Sequence, residues 1–309
     1  MALLFLSEID PARAWVPALE AALPGLEVRV WPEIGDPADV AYALVWSPPP
    51  GLLARLPNLK AVFSLGAGLD HLFRDPALPA DVPVVRMVDP GLTRSMTEYV
   101  ALRVLDWHRQ AAAYRAQQAR AEWRPLRQPL APDRRVGVLG LGMMGGAAAR
   151  ALAGLGFAVA GWSRTARAET GIDAFHGAEG LAPFLARSEI LICLLPLTPA
   201  TAGILNAETF ARLPRGAHLI NAGRGAHLVE ADLLAALDDG QLAGAALDVF
   251  AEEPLPPDHP FWRHPAITVT PHVAAIARPR TAAPVIAEAI RRIEAGEPPP
   301  HAVDRARGY

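Results

Sequence analysis

The sequence predicts an α/β protein made of two doubly wound parallel-sheet domains. Short apolar runs alternate with helical patterns along almost the whole chain, and this alternation is typical of parallel sheets. A glycine-rich loop follows a predicted strand near the middle of the chain. The length of 309 residues suits two domains of ordinary size.

The N-terminal part of the chain alternates strands with helical segments. The predicted strands are Ala2–Leu6, Glu27–Trp31, Tyr42–Trp46 and Ala61–Leu65. Pro11–Leu23 and Pro50–Leu56 are predicted helices, because each has proline at its start and apolar residues at helical spacing. A longer helical pattern runs from Thr93 to about Glu122 and is broken by Pro125.

A second α/β series follows a connection rich in Pro and Arg. Its predicted strands are Arg135–Leu139, Ala158–Trp162, Ile190–Leu195, Ala217–Asn221, Ala245–Val249 and Ile267–Thr270. Its predicted helices are Met144–Leu155, Leu181–Arg187, Ala207–Leu213 and Glu230–Asp239, and a last helix covers Pro279–Ala295. Strands and helices in this order predict a second parallel sheet.

The composition excludes several classes of protein. Hydrophobic residues make up 51% of the chain and charged residues 20%, with a net charge of -3, which excludes a disordered chain and gives no basic excess for binding nucleic acid. No apolar run approaches the ~18 residues that a membrane span needs. The apolar start soon meets Glu8 and lacks the basic residues and the length of a signal peptide. We therefore expect a cytoplasmic protein with no membrane partner.

The available side chains also limit the chemistry. Cys193 is the only cysteine, which excludes an internal disulfide and suits a reducing cytosol. Lys60 is the only lysine, which removes Schiff-base catalysis from serious consideration. The nine His are scattered, without Cys or carboxylates at ligand spacing, so we expect no metal site.

A strand that runs into Gly-x-Gly-x-x-Gly and then a helix occupies residues 136–155. Gly140 permits the tight turn, Gly142 lets the backbone approach a pyrophosphate, and Gly145 allows the helix to pack closely on the strand. The helix N-terminus, at Met143 and Met144, offers unpaired N–H groups to the anion. This pattern predicts a dinucleotide site, and a tight glycine turn without a ligand is the alternative.

The end of the following strand indicates which dinucleotide binds. In an NAD site this strand ends in an acidic residue that holds the ribose 2′-hydroxyl. Here it ends in Ser163, Arg164 and Thr165, with Arg167 close behind. Because Arg binds phosphate bidentately, this composition favours the 2′-phosphate of NADPH, with NAD as a weaker cofactor. The alternative is that Arg164 is an ordinary surface residue of an Arg-rich chain.

Three later segments, residues 220–225, 247–254 and 269–274, place polar side chains just after predicted strands. Open α/β sheets build their sites at this edge. The segments supply one Arg, one Glu and one His, which are Arg224, Glu253 and His272.

With these motifs in place, the chain resembles the D-2-hydroxyacid dehydrogenase family, and within it the glyoxylate and hydroxypyruvate reductases. The similarity covers residues 44–49, 61–70, the glycine loop, 162–165, 194–201, the three polar segments and 303–309. The resemblance implies that Arg224, Glu253 and His272 are the catalytic set. It also implies further nucleotide contacts, at Leu195, Pro196, Thr201, Ala222, Gly223, Asp248 and Ala274.

The chemistry of the three catalytic candidates fits the reduction of a 2-keto acid. Arg224 can hold the carboxylate and polarise the carbonyl with its fixed fork of donors. His272 can supply the proton, because the unperturbed pKa of imidazole is about 6.5. Glu253 can bind the other ring nitrogen, which orients the imidazole and favours the imidazolium. The alternatives are a helix cap for Arg224, a solvated acid for Glu253 and a buried structural role for His272.

The resemblance also gives the first domain a part in substrate binding. Gly66, Ala67 and Gly68 can present backbone N–H groups to the substrate carboxylate. Trp46 can press an apolar face against a small substrate, and its alternative role is that of a core aromatic at a strand end.

Residues 1–96 with 276–309 are expected to form a flavodoxin-like substrate domain, and residues 97–275 a Rossmann nucleotide domain, with the active site in the cleft between them. By family analogy, the segment from Thr97 through Trp123 implies a homodimer. The implied activity is NADPH-dependent reduction of glyoxylate to glycolate and of hydroxypyruvate to D-glycerate. The alternatives are a dehydrogenase for a bulkier 2-keto acid and a non-catalytic nucleotide-sensing protein of the same fold.

Overall fold

The computed structural model describes residues 1–167 and 170–305. It divides into two compact units, of which one joins Met1–Leu92 to Ile276–Tyr309 and the other is Thr93–Ala275. The observed boundary lies between Leu92 and Thr93, and the predicted one lies between residues 96 and 97. Both fall within the helix Pro90–His108. The end of the C-terminal motif, from residue 306, lies outside the described residues.

The first unit is built on a five-stranded parallel sheet. Its strands are β1 (Ala2–Leu6), β2 (Glu27–Val30), β3 (Val40–Val45), β4 (Ala61–Ser64) and β5 (Val84–Val85), and its first helices are α1 (Ala12–Ala22) and α2 (Asp70–Phe73). The strand order is β2-β1-β3-β4-β5. Every residue of β1, β3 and β4 is buried, as expected of strands covered on both faces.

The second unit is built on a seven-stranded parallel sheet. Its strands are β6 (Arg135–Leu139), β7 (Ala158–Ser163), β8 (Asp173–His176), β9 (Ile190–Cys193), β10 (Ala217–Asn221), β11 (Leu242–Leu247) and β12 (Ile267–Val269). Its helices are α3 (Pro90–His108), which begins in the first unit, α4 (Ala111–Ala119), α5 (Met143–Gly154), α6 (Gly177–Arg187), α7 (Ala207–Ala211) and α8 (Glu230–Asp238). The strand order β12-β11-β10-β9-β6-β7-β8 reverses direction beside β6. The prediction of two doubly wound α/β domains is confirmed.

The core of the second unit lies on the two faces of its sheet. Leu139 and Leu191 belong to the apolar cluster on one face, and Val138 and Ile192 belong to the cluster on the other. Successive side chains of a strand point to opposite faces, so both faces are filled along each strand. Because the apolar core lies above and below the sheet, polar side chains can be placed at the ends of the strands. The chain then returns to the first unit as α9 (Pro279–Glu294), which packs against α1.

Two helix predictions are wrong, and each failure has a local cause. Residues 50–56 form turns and a 3-10 turn at Leu53–Arg55, because Gly51 takes a positive φ of 74° that no α-helix contains. The single helix predicted from Thr93 is two helices, since Gln110 takes a φ of 55° between α3 and α4. The prediction also missed β5 and β8, which are respectively very short and largely exposed. Within the described residues, no helix is long and apolar enough to cross a membrane.

Candidate active site

The candidate residues of the second unit gather at one edge of its sheet. Each segment lies at the end of a different strand: residues 140–145 follow β6, 163–165 include the last residue of β7 and the two after it, 195–201 follow β9, 222–224 follow β10, 248–253 follow β11 and 272–274 follow β12. Because all seven strands are parallel, their carboxyl ends meet at the same edge. The structure therefore brings together groups that are more than a hundred residues apart in the chain.

The observed geometry of the loop explains why glycine occupies positions 140 and 145. Gly140 takes a φ of +99°, and a Cβ atom there would lie 2.8 Å from the carbonyl oxygen of Leu194. A Cβ at Gly145 would overlap the carbonyl oxygen of Gly140, so the helix passes close to the loop. A Cβ at Gly142 would meet nothing within 4 Å. The backbone of Gly142 thus faces open space into which a ligand can approach.

The first turn of α5 presents backbone donors to that space. The first intrahelical bond runs from the N–H of Gly146 to the carbonyl of Gly142, at 2.8 Å. The N–H groups of Met143, Met144 and Gly145 precede it and have no acceptor within the helix. These donors and the positive end of the helix dipole favour an anion there.

Basic side chains border the glycine loop on the β7 side. Ser163 is buried and its hydroxyl donates to the carbonyl of Thr165 at 2.8 Å, which shapes the turn that exposes Arg164. Nη1 of Arg167 donates to the carbonyl of Leu141 at 3.0 Å. Arg167 therefore folds back onto the glycine loop, a position that the sequence alone did not settle.

A threonine shapes the loop that follows β9. Oγ1 of Thr201 donates to the carbonyl of Pro196 at 2.7 Å and accepts the N–H of Thr198 at 2.8 Å. Leu195 is buried at the start of the loop, whereas Pro196 is exposed. Thr201 thus holds the loop in shape. Direct contact of these residues with a nucleotide stays a prediction.

His272 and Glu253 form a hydrogen-bonded pair. Nδ1 of His272 lies 2.8 Å from Oε2 of Glu253, and Oε1 of Glu253 accepts the N–H of Phe250 at 2.9 Å. Burial acts to raise the pKa of Glu253, but the hydrogen bonds from His272 and Phe250, with the nearby charges of His272 and Arg224, lower it overall. Glu253 is therefore an ionised carboxylate that is held by two hydrogen bonds, although 36% of its side chain is exposed. His272 keeps about a third of its side chain exposed, so it is not a buried structural histidine.

Asp248 holds the loop that carries His272. The N–H of His272 donates to the carbonyl of Asp248 at 2.8 Å, and His272 takes a left-handed φ of 54°. The carboxylate of Asp248 accepts the Thr270 hydroxyl at 2.6 Å and the N–H groups of Val273 and Ala274 at 3.0 and 2.8 Å. Burial raises the pKa of Asp248, and these hydrogen bonds oppose that rise. Sequence reasoning placed Asp248 and Ala274 at the cofactor but missed this supporting role.

Arg224 stands at the turn after β10. Its carbonyl accepts the N–H of His227 and the side-chain amide of Asn221, so the backbone rather than the guanidinium starts the 3-10 turn Gly225–His227. Nη1 of Arg224 donates to the carbonyl of Gly223 at 2.9 Å, and the side chain is partly exposed. The N–H of Arg224 donates to Nδ1 of His227 at 3.0 Å. Sequence reasoning did not select His227.

The predicted substrate contacts of the first unit lie together at the ends of β3 and β4. The ring of Trp46 is partly exposed and lies 4.4 Å from the ring of His71, centroid to centroid. A Cβ atom on Gly66 would collide with the indole, so glycine is required beside Trp46. Ser64 accepts the N–H of Gly66 at 3.2 Å. That donor is already engaged, which leaves Ala67 and Gly68 as the better candidates in this loop.

The described side chains give little support to a reaction that depends on a bound metal ion or on a cysteine thiol. Across residues 1–167 and 170–305, no group of three or more His, Cys, Asp or Glu side chains could hold a metal ion. Cys193 is fully buried within β9, and burial raises the pKa of its thiol to about 12.

Comparison with known proteins gives a consistent result. Residues 101–274 match the family model described as D-isomer specific 2-hydroxyacid dehydrogenase, NAD binding domain. Glyoxylate/hydroxypyruvate reductase A of Serratia proteamaculans is 46% identical over 314 residues, which cover 100% of both chains. A D-isomer specific 2-hydroxyacid dehydrogenase of Xanthobacter autotrophicus, solved with NADPH and MES, is 51% identical with a TM-score of 0.96, over 100% of this chain and 99% of that one. An NADPH-dependent glyoxylate/hydroxypyruvate reductase of Sinorhizobium meliloti, solved with NADP and sulfate, is 45% identical with a TM-score of 0.92, over 100% of both chains.

Proposed function

The chain belongs to the D-isomer specific 2-hydroxyacid dehydrogenase family, and on that premise we propose that it reduces glyoxylate to glycolate and hydroxypyruvate to D-glycerate with NADPH. The observation that carries the proposal is the His272–Glu253 pair at 2.8 Å, at the same sheet edge as Arg224 and the glycine loop. Relatives that are 45–46% identical over their full length bear the name of that activity. The predicted family and enzyme class are confirmed.

The residues at the sheet edge fit an NADPH molecule. The open space beside Gly142 and the free N–H groups that begin α5 suit a pyrophosphate. Arg164 and Arg167 suit a 2′-phosphate, and no Asp or Glu lies among residues 163–167 to repel it. When bound, NADPH supplies the hydride that reduces the carbonyl carbon.

The proposed catalytic set handles the substrate and the proton. Arg224 binds the carboxylate and polarises the carbonyl oxygen through its guanidinium. His272 donates the proton to that oxygen from Nε2, because Nδ1 is engaged by Glu253. Glu253 fixes the ring orientation and stabilises the protonated ring with its negative charge. The Asp248 carboxylate keeps the His272 loop in its left-handed conformation.

The cofactor preference is our first prediction. Wild type is expected to favour NADPH over NADH in kcat/KM by roughly 10- to 100-fold, the value of one charged hydrogen bond of ~1.5–3 kcal/mol. The double variant Ser163→Asp, Arg164→Ala should lean toward NADH, because it removes a phosphate donor and adds a carboxylate for the 2′-hydroxyl. Arg212→Ala, which removes an exposed Arg that follows α7 and pairs with Glu208, is the control and should leave the ratio unchanged. Equal use of both cofactors by wild type would contradict this prediction.

The second prediction concerns the size of the substrate. Trp46→Ala is expected to raise kcat/KM for phenylpyruvate relative to glyoxylate, because the indole limits the space beside the loop of Gly66. Steady-state rates with both keto acids and a melting curve check it. A variant that melts earlier but keeps the wild-type ranking of substrates would show that Trp46 only fills the core.

One assay tests the proposed function against both alternatives. NADPH oxidation is followed with glyoxylate, hydroxypyruvate and phenylpyruvate over a range of concentrations. The proposal predicts the highest kcat/KM for the two small keto acids. A preference for phenylpyruvate would identify a dehydrogenase for bulkier substrates. Tight NADPH binding without turnover of any keto acid would identify a nucleotide-sensing protein.

We further propose that the protein is a cytoplasmic homodimer. Leu102 of α3 is 53% exposed, and Trp123 and Leu130 lie fully or largely exposed in the segment after α4. Apolar side chains of this size on one stretch of chain suit a protein interface. Sedimentation at micromolar concentration should give twice the chain mass of 32.9 kDa, and Leu102→Glu should shift the protein toward the monomer. A wild-type monomer would contradict the dimer, and cell fractionation tests the location.

A further inference from the structure

His227 is a fully buried histidine at the junction of two functional loops. It lies in the 3-10 turn after β10 and is 0% exposed. Nδ1 of its ring lies 3.0 Å from the N–H of Arg224, and Nε2 lies 3.3 Å from the carbonyl oxygen of Pro196. The ring therefore joins the turn of Arg224 to the loop that follows β9.

The partners of the ring determine where its proton sits. A backbone N–H only donates, so Nδ1 must accept from Arg224, and a carbonyl oxygen only accepts, so Nε2 must carry the hydrogen. The imidazole is thus neutral, with its hydrogen on Nε2. A second hydrogen on Nδ1 would face the N–H of Arg224 and break the contact.

Close contacts with neighbouring groups hold the imidazole ring of His227 in a single position. A Cβ atom on Gly223 would lie 2.9 Å from Nδ1 of His227, so the backbone before Arg224 packs directly against the imidazole. Sγ of Cys193 lies 3.8 Å from the same nitrogen. The N–H of His227 also donates to the carbonyl of Arg224 at 3.1 Å. Arg224 is held to His227 through both of its backbone polar groups.

We propose that His227 is a positioning residue that fixes the backbone of Arg224, so that the guanidinium meets the substrate carboxylate in a productive orientation. This inference rests on the proposed role of Arg224 as the carboxylate anchor. Displacement of a substrate-binding group by about 1 Å can cost up to about 100-fold in rate. The imidazole itself touches neither the substrate nor the reacting atoms in this account.

Two substitutions separate positioning from simple core packing. His227→Leu keeps the bulk of the side chain but removes the acceptor for the N–H of Arg224. His227→Asn places an amide oxygen near the position of Nδ1 and keeps that acceptor. His108→Leu is the matched control, because His108 is another buried imidazole of the second unit and packs against Phe157, away from the sheet edge.

The readout is the affinity for oxalate, a dicarboxylate that mimics a 2-keto acid without reacting, measured by calorimetry at saturating NADPH. We expect His227→Leu to weaken oxalate binding and to raise the KM for glyoxylate by about 10- to 100-fold. His227→Asn should stay within about threefold of wild type, and His108→Leu should keep the wild-type oxalate affinity. A His227→Leu variant with wild-type affinity, or an Asn variant as impaired as the Leu variant, would overturn the positioning role.

The remaining outcomes also decide between the proposals. If His227→Leu does not fold, His227→Gln replaces it, because its amide reaches toward Pro196 rather than the N–H of Arg224. The Gln variant must then bind oxalate more weakly than the Asn variant, and the reverse order refutes the inference. A wild type that neither reduces glyoxylate nor binds oxalate refutes the proposed function and the positioning role together. A wild type that does both, with unchanged variants, refutes the positioning role alone.

Discussion

His272→Asn is expected to lower the kcat for glyoxylate by about 10²- to 10⁴-fold. The imidazole is the proposed proton donor, and a positioned general acid contributes ~10²–10⁴-fold. Asn retains a polar group of smaller size but cannot deliver a proton. The affinity for NADPH should change by less than about threefold, since the glycine loop follows β6 and His272 follows β12. Stopped-flow turnover and a fluorescence titration of NADPH measure the two quantities separately.

A companion variant tests the source of that proton. Reduction requires protonated His272, so the rate falls as the pH rises through an alkaline limb. Glu253 is ionised across this range, because its pKa is lowered, and its charge 2.8 Å from Nδ1 favours the protonated ring. Glu253→Gln removes that charge, so the fall in rate should begin at a lower pH than in wild type. An unchanged profile would mean that Glu253 does not influence the proton donor, and substantial turnover in His272→Asn would place the donor elsewhere.

Arg224→Ala is expected to lower kcat/KM for glyoxylate by at least about 10²-fold. The guanidinium is the proposed carboxylate anchor, a charged hydrogen bond is worth ~1.5–3 kcal/mol, and a bidentate pair is worth more. The loss should appear in both KM and kcat, because the same group polarises the carbonyl. Arg224→Lys is the matched control, because it keeps the charge without the planar fork and should recover only part of the loss.

The stability of the Arg224 variants decides how their kinetics are interpreted. The Arg224 backbone, rather than its guanidinium, starts the following 3-10 turn, so removal of the side chain should change the melting temperature little. An Ala variant within threefold of the wild-type kcat/KM would remove Arg224 from the site. A variant that loses activity only because it unfolds would point to a structural role instead.

Much of this architecture could be predicted because the strands are continuous apolar runs. The fully buried β1 and β9 have no polar alternation that would confuse them with edge strands, and the glycine loop marks the strand before it as the one that leads into a dinucleotide site. Parallel strands then place every predicted polar segment of the second unit at one edge. The candidate set Arg224, Glu253 and His272 followed from strand ends and family resemblance together.

The features that escaped prediction depend on contacts between distant segments or on single backbone angles. Nothing in the local sequence of residues 93–122 indicates that Gln110 takes a left-handed φ, so the pattern predicts one continuous helix. His227 acquires its partners only when the loops after β9 and β10 meet. The family resemblance implies a nucleotide contact for Asp248, but its hydrogen bonds to the His272 loop depend on the fold of residues 270–274. A polar residue three positions after Arg224 is the signal that could have raised His227 as a candidate.

The stereochemistry of hydroxypyruvate reduction tests the central claim most directly. Purified protein is incubated with hydroxypyruvate and NADPH, and the glycerate formed is resolved by chiral chromatography, with His272→Asn as the background. We predict stoichiometric oxidation of NADPH and accumulation of D-glycerate by wild type, at a rate at least about 10²-fold above that background. L-glycerate as the product, or NADPH oxidation no faster than that of the variant, would contradict the account.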